Sequence, residues 1–246
     1  MTDTATEGRS GPAPSTPESV AGDRAMRQAG VVAGVGILVL AALSAFGIFY
    51  VLEGLVTQGD AAETVEDIRS SDGLFRWGIA SLYLVVVLDV VVAWALFRFL
   101  SPVSRGLSRL AAWFRLAYAG VFLVAIAQLA GIPDLVTADY YSSVLTTEQI
   151  QGQTLVKADA FDDLWMAGLI LFGIHLLLVG YLAYRSGYVP KLLGVLLLVA
   201  GAGYVFDSVA STVLASPPGS VATFTFLGEF LLALWLVVRG KAVTTS

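Results

Sequence analysis

Five ionisable residues stand inside long apolar stretches of this chain: Asp89, Arg115, His175, Asp207 and Glu229. Carboxylates, an imidazole and a guanidinium are the groups that exchange protons and hold small polar ligands. A charged side chain at the centre of a bilayer costs roughly 3 kcal/mol even on the mildest insertion scales. Such groups must therefore face a bundle interior, a water-filled cavity or one another. Two roles are open to them. Paired or neutral, they tie helices together. Gathered in a polar pocket or along a proton path, with the carboxylates and His175 as exchanging groups, they serve a function. Asp89, His175, Asp207 and Glu229 are more than packing requires, because Asn or Thr would join helices at lower cost.

The elements that position these residues follow from composition. Of 246 residues, 57% are hydrophobic and only 13% charged, with a mean hydropathy of +0.80. Soluble domains carry about 25% charged residues, so this chain needs lipid as its solvent. A helix needs about 20 apolar residues to cross a hydrocarbon core of ~30 Å. Six segments qualify: 30–55, 74–100, 110–132, 164–184, 192–214 and 222–239. Helices are expected because backbone groups in lipid must be satisfied within their own segment. The expected fold is all-α, an integral bundle of six transmembrane helices over residues 30–241, with a short tail at 242–246. Residues 1–29 are rich in Ser, Thr, Pro, Gly and acids, lack apolar periodicity and read as a disordered cytoplasmic tail. Their mixed acids and bases, with no early apolar core, do not read as a signal peptide.

Lysine and arginine set the orientation. One set of span ends holds Arg24, Arg27, Arg98, Arg105, Arg109, Arg115, Arg185, Lys191, Arg239 and Lys241, and the opposite set only Arg69, Arg76 and Lys157. The first side is expected to be cytoplasmic, with both termini inside a prokaryotic-type cell membrane. The outer loops are acidic, with five acids in 60–72 and six in 133–163, and read as solvated faces. Asp60 with Glu63, and Thr146 with Gln149, have capping-box spacing. The second is expected to lead a helix that runs into the fourth span. Ser216-Pro217-Pro218-Gly219 reads as a tight turn. Short inner loops at Ser101-Pro102 and at 186–190 make the second and third spans one hairpin, and the fourth and fifth another.

Depth suggests partners. At 1.5 Å per residue, Asp89 lies ~20 Å below the outer end of its span, His175 ~16 Å, Asp207 ~9 Å and Glu229 ~11–14 Å. On depth alone His175 could meet Glu229, Asp89 could meet Arg115, and Asp207 could meet Arg76. Glu53 and Arg76 sit near outer ends, where side chains snorkel. Trp77, Trp113, Trp165 and Tyr184 have the spacing of an aromatic belt. Gly30/Gly34 and Gly194/Gly201/Gly203 read as close-packing positions.

Several classes are excluded. The chain has no cysteine and one histidine, so thiolate and multi-His metal sites are out, and no cofactor is expected. A net charge of -5 argues against a nucleic-acid partner. No phosphate-binding loop, dinucleotide fingerprint, HExxH or GxSxG is present. The expected partners are the lipid bilayer and a small polar ligand or a proton.

Gly73-Leu74-Phe75-Arg76 leads into the span holding Asp89, and Trp113-Phe114-Arg115-Leu116 follows the inner loop. A longer stretch runs from Phe172-Gly173-Ile174-His175 through Gly180-Tyr181-Leu182, Arg185-Ser186-Gly187, Pro190 and Leu193-Gly194-Val195. It continues to Gly203-Tyr204, Asp207-Ser208, Gly228-Glu229 and Trp235. In order and spacing these residues resemble the multi-pass membrane family catalogued as domain of unknown function 4386, over roughly 30–241. The resemblance implies a six-helix membrane domain whose recurring pattern includes the positions of Asp89, Arg115, His175, Asp207 and Glu229. It implies no activity. The leading expectation is a binding or structural membrane module of unknown biochemical role, with a small polar ligand or a proton as the partner the intramembrane groups would suit. A compact transporter would show discontinuous helices at midplane, for which the glycines at 201–203 are the place to look. A membrane enzyme would need a nucleophile or metal beside His175.

Overall fold

The computed structural model describes residues 17–214 and 227–239, and every regular element among them is helical. In chain order these are α1 (Pro17–Ser44), α2 (Ala61–Ser70), α3 (Asp72–Leu100), α4 (Arg105–Ala130), α5 (Ile132–Thr137), α6 (Asp139–Val144), α7 (Thr147–Arg185), α8 (Lys191–Val213) and α9 (Leu227–Arg239). Five helical stretches are long and apolar enough to cross a membrane: Gly22–Leu55, Asp72–Leu100, Arg105–Thr137, Thr147–Arg185 and Lys191–Val213. The sixth expected span is described only as the 13 residues of α9, about 20 Å of helix. The expected turn at 216–219 lies outside the described residues.

Helix α1 begins at Pro17, ahead of the boundary expected at residue 30. Met26, Ala29, Ala33 and Ile37 are buried at helical spacing. This apolar stripe docks the start of the helix where composition alone suggested tail. Past Ser44 the helix widens into a π-helical stretch, Ala45–Leu52, before a last α turn at Glu53–Leu55. The Ser81 hydroxyl of α3 reaches the Leu43 carbonyl just ahead of that stretch, at 3.3 Å. A polar side chain set against the backbone ladder is a common accompaniment of such irregularity.

The membrane-length helices and α9 pack in a closed circuit. Contacts join α1 to α3, α3 to α4, α4 to α7, α7 to α8, α8 to α9, and α9 back to α1. Lipid tails are as apolar as leucine, so close backbone packing must hold such helices together. Between α7 and α8 it does so through glycine. A Cβ on Gly201 would stand 2.6 Å from the Gly173 carbonyl oxygen, and one on Gly194 would stand 2.7 Å from the Tyr184 nitrogen. On the far side of the circuit a Cβ on Gly34 would stand 2.8 Å from the Ala233 carbonyl oxygen. The outward face carries large apolar side chains, including Trp77 (72% exposed), Val87, Trp94 and Trp113. Such an apolar exterior suits a bilayer. Trp165, expected in the aromatic belt, instead packs on Phe122 and Phe161 and donates to the Tyr118 hydroxyl at 3.2 Å.

The end of the bundle that carries α2 and the start of α7 is ordered. Thr146 and Gln149 form a reciprocal capping box. The helix they open runs unbroken for 39 residues, about 58 Å. It therefore stands well clear of a ~30 Å core. Asp60 caps α2 through the Glu63 N–H at 2.9 Å, and α2, with Val65 and Ile68 buried, packs against α7 and α5. At the opposite end, Gly187 takes a positive φ of 75° in the α7–α8 turn, which glycine adopts at little cost. The Tyr188 hydroxyl beside it donates to the Phe99 carbonyl at 2.8 Å, and burial pushes that phenol up from its ordinary value.

Candidate functional site

Arg115 lies at the centre of the circuit. Its helix buries one face at helical spacing, Ser108, Ala111, Arg115, Tyr118 and Phe122. The small Ala111 leaves room for a neighbour, and the Arg115 side chain is 0% exposed. Facing helices bring their own stripes. Val85, Asp89, Val92 and Leu96 line α3, while Phe172, His175, Leu176 and Val179 line α7. Glu229 stands in the first turn of α9, its side chain 15% exposed.

The guanidinium distributes its donors among three other helices. Nε donates to Asp89 Oδ1 at 2.8 Å. Nη1 donates to Glu229 Oε1 at 2.7 Å and meets His175 Nε2 at 3.2 Å. Nη2 lies 2.7 Å from the same Asp89 Oδ1, yet off the line of a hydrogen bond. It is the one buried side-chain nitrogen or oxygen among the described residues with no hydrogen-bond partner. Phe172 places its ring under the cation, 5.3 Å from Cζ, a favourable arrangement for a desolvated guanidinium. Because α4 and α9 are not neighbours in the circuit, the Arg115–Glu229 contact crosses its interior.

Arginine has no acceptor, which decides the state of the histidine. His175 Nε2 can only accept from Arg115, so the ring proton sits on Nδ1 and donates to the Ala111 carbonyl at 2.9 Å. His175 is thus neutral in this arrangement, with both nitrogens engaged. The cluster then holds one cation and two carboxylates, with each carboxylate meeting Arg115 through a single oxygen. With both acids ionised its formal charge is -1.

Four of the five residues singled out in the sequence therefore meet: Asp89, Arg115, His175 and Glu229. Asp89 pairs with Arg115 as depth suggested. His175 and Glu229 match in depth but do not bond each other, because a carboxylate and an accepting imidazole nitrogen both seek donors. Arg115 supplies one hydrogen to each. Asp207 is buried on α8 outside this set of contacts, with interactions of its own. Arg76 does not reach it and instead pairs with Asp72 and Asp134, each at 3.0 Å. The residues that sequence reasoning missed are Phe172, Ala111 and Tyr118. Helical spacing marks them, since Phe172 is three before His175 and Tyr118 three after Arg115.

Among the described residues the hydrogen-bond and ring partners of His175 are Arg115, the Ala111 carbonyl and the Phe172 ring, none of them a nucleophile. Among the described residues no group of three or more His, Asp or Glu is arranged to hold a metal ion. A separate cavity of about 150 Å³ is lined in part by Glu53, Asp159, Asp162, Phe161 and Trp165.

Comparison with known proteins adds two similarities. The family described as domain of unknown function 4386 matches residues 32–240. An uncharacterized protein of Archaeoglobus fulgidus is 35% identical over 168 residues, covering 68% of this chain and 86% of the archaeal protein. No solved structure matches.

Proposed function

The chain belongs to the family described as domain of unknown function 4386, and we propose that it is a proton-linked or small-polar-ligand-binding membrane module centred on Arg115. In this reading six spans cross a prokaryotic-type cell membrane and α9 ends the sixth. The arginine-rich ends face the cytoplasm with both termini. The observation that carries the reading is the guanidinium with no solvent exposure, bonded to ionisable groups from three other helices. As mere cement this is a poor choice, because apolar residues of similar volume often replace a buried ion cluster without loss.

The transporter alternative looked for a break at 201–203, but α8 is continuous from Lys191 to Val213 and those glycines serve the contact with α7. The enzyme alternative looked for a nucleophile or metal beside His175, and the neighbours of that ring offer neither among the described residues. Binding is the reading these contacts favour.

The test is the pair of isosteric variants Asp89→Asn and Glu229→Gln, purified in detergent and then placed in vesicles loaded with a pH-sensitive dye. Variants that express and melt like the parent but lose its proton response support the module. Collapse of expression and melting temperature with no separable response would make the cluster a structural tie.

A further inference from the structure

We infer that the α3–α4 and α7–α8 turns form one basic surface that binds the headgroup of an anionic phospholipid. The surface is independent of the Arg115 cluster and of the side of the membrane it faces. Charge comes first. Residues 90–133 and 164–206 contain no Asp or Glu. The helix ends that meet at these two turns carry Arg98, Arg105, Arg109, Arg185 and Lys191, all exposed. None of the five belongs to an ion pair among the described residues. The opposite end of the bundle differs. There Arg69 lies 3.8 Å from Glu66, and Arg76 lies 3.0 Å from both Asp72 and Asp134.

Local structure gathers the five cations. The Tyr188 hydroxyl donates to the Phe99 carbonyl at 2.8 Å, and the two rings meet edge to face with centroids 5.3 Å apart. This tie sets the two turns side by side. Each turn also satisfies its own polar groups. Ser101 and Ser108 both donate to the Phe97 carbonyl. Ser186 donates to the Ala183 carbonyl at 2.7 Å, and the Val189 N–H donates to the Ser186 hydroxyl at 3.0 Å. Turns held this way lose little freedom on binding. Arg105 opens α4 and Lys191 opens α8. A cation at the start of a helix opposes the helix dipole, so an anion held there relieves an unfavourable placement. An orientation signal needs the charges alone and no tie between turns.

The surroundings favour a lipid over a soluble anion. Arg185 Cζ lies 5.9 Å over the Tyr181 ring, and Lys191 Nζ lies 5.5 Å over the Tyr184 ring. Both tyrosines are themselves exposed, and so are Leu110, Trp113 and Leu192. Cations set among exposed aromatic and apolar side chains at helix ends match the level where phosphate headgroups meet acyl chains. A soluble polyanion would meet the charges and leave the apolar neighbours in water. The α1 helix also reaches this end, since a Cβ on Gly30 would stand 2.9 Å from the Phe99 ring. It brings Asp23 along with Arg24 and Arg27, and Asp23 and Arg27 have interactions of their own. The surface therefore excludes α1.

Native mass spectrometry of the full chain in detergent reads lipid binding directly. Offered equal amounts of phosphatidylglycerol and phosphatidylcholine with the same acyl chains, the parent should retain the anionic lipid preferentially. Each cation near a membrane surface is worth roughly fivefold in such binding. Arg105→Gln with Arg109→Gln, and separately Arg185→Gln with Lys191→Gln, should each lose about tenfold or more of the preference. Their melting temperatures should match the parent's, because all four side chains are exposed. Arg76→Gln, at the opposite end, should keep the preference, and so should the charge-retaining pair Arg105→Lys with Arg109→Lys. A parent with no preference overturns the inference without any variant. So does a preference that survives either pair of Gln substitutions, or one that the Lys pair or Arg76→Gln removes. Displacement of the bound lipid by inorganic pyrophosphate at equal concentration also overturns it, since the surface would then take soluble anions.

Discussion

Arg115 has donors and no acceptor, and that asymmetry organises the site. Removing it leaves Asp89 and Glu229 facing each other in a dry interior. Arg115→Ala should therefore destabilise the protein by about 3–5 kcal/mol. The combined Arg115→Met, Asp89→Leu, Glu229→Leu variant should recover most of that loss, because no charge is then buried unpaired. Chemical denaturation in detergent micelles measures both, and a triple variant as unstable as the single one would contradict the argument. The sequence indicated these residues by type and depth, and it suggested the Asp89–Arg115 pair. It could not show that His175 and Glu229 share a nitrogen of Arg115, because depth gives height within the membrane and not bearing around a helix.

Glycine decides how closely the elements approach. Both the Gly173–Gly201 and Gly180–Gly194 contacts place helix backbones where a methyl group has no room. Gly201→Ala should push α7 and α8 apart and cost about 1–3 kcal/mol. Gly152 lies near the start of the same α7 with open space around its Cβ position. Gly152→Ala should be neutral or stabilising by a few tenths to about 1 kcal/mol, since alanine is the better helix former. Opposite shifts in melting temperature for the two variants check the claim. The long N-terminal extension of α7 was legible from the Thr146–Gln149 spacing, and the start of α2 from the Asp60–Glu63 spacing. Two features were not legible. The helical start of α1 rests on Met26 and Ala29 docking against other helices, and the π-helical stretch at 45–52 has no clear signature in its apolar residues.

At the scale of the molecule, six helices close a circuit and α9 is its last member. Reporter fusions test the proposed threading. A cytoplasm-active reporter should work after Lys241 and in the loop at Ser101-Pro102, and a reporter active only outside should work near Gly59. Swapped activities would reverse the orientation. Composition alone required a helical protein in lipid, because 57% hydrophobic residues in long unbroken runs cannot be covered by water-facing polar groups. The two hairpins and the caps at Asp60 and Thr146 followed from local spacing, since each depends on residues only a few positions apart. Only the tertiary structure decided that Asp89, Arg115, His175 and Glu229 form one cluster, with Asp207 outside its contacts. Arg115 and Glu229 alone lie 114 positions apart along the chain. Their meeting depends on how each helix is rotated about its axis, and that rotation is set by the close packing of every neighbour in the circuit.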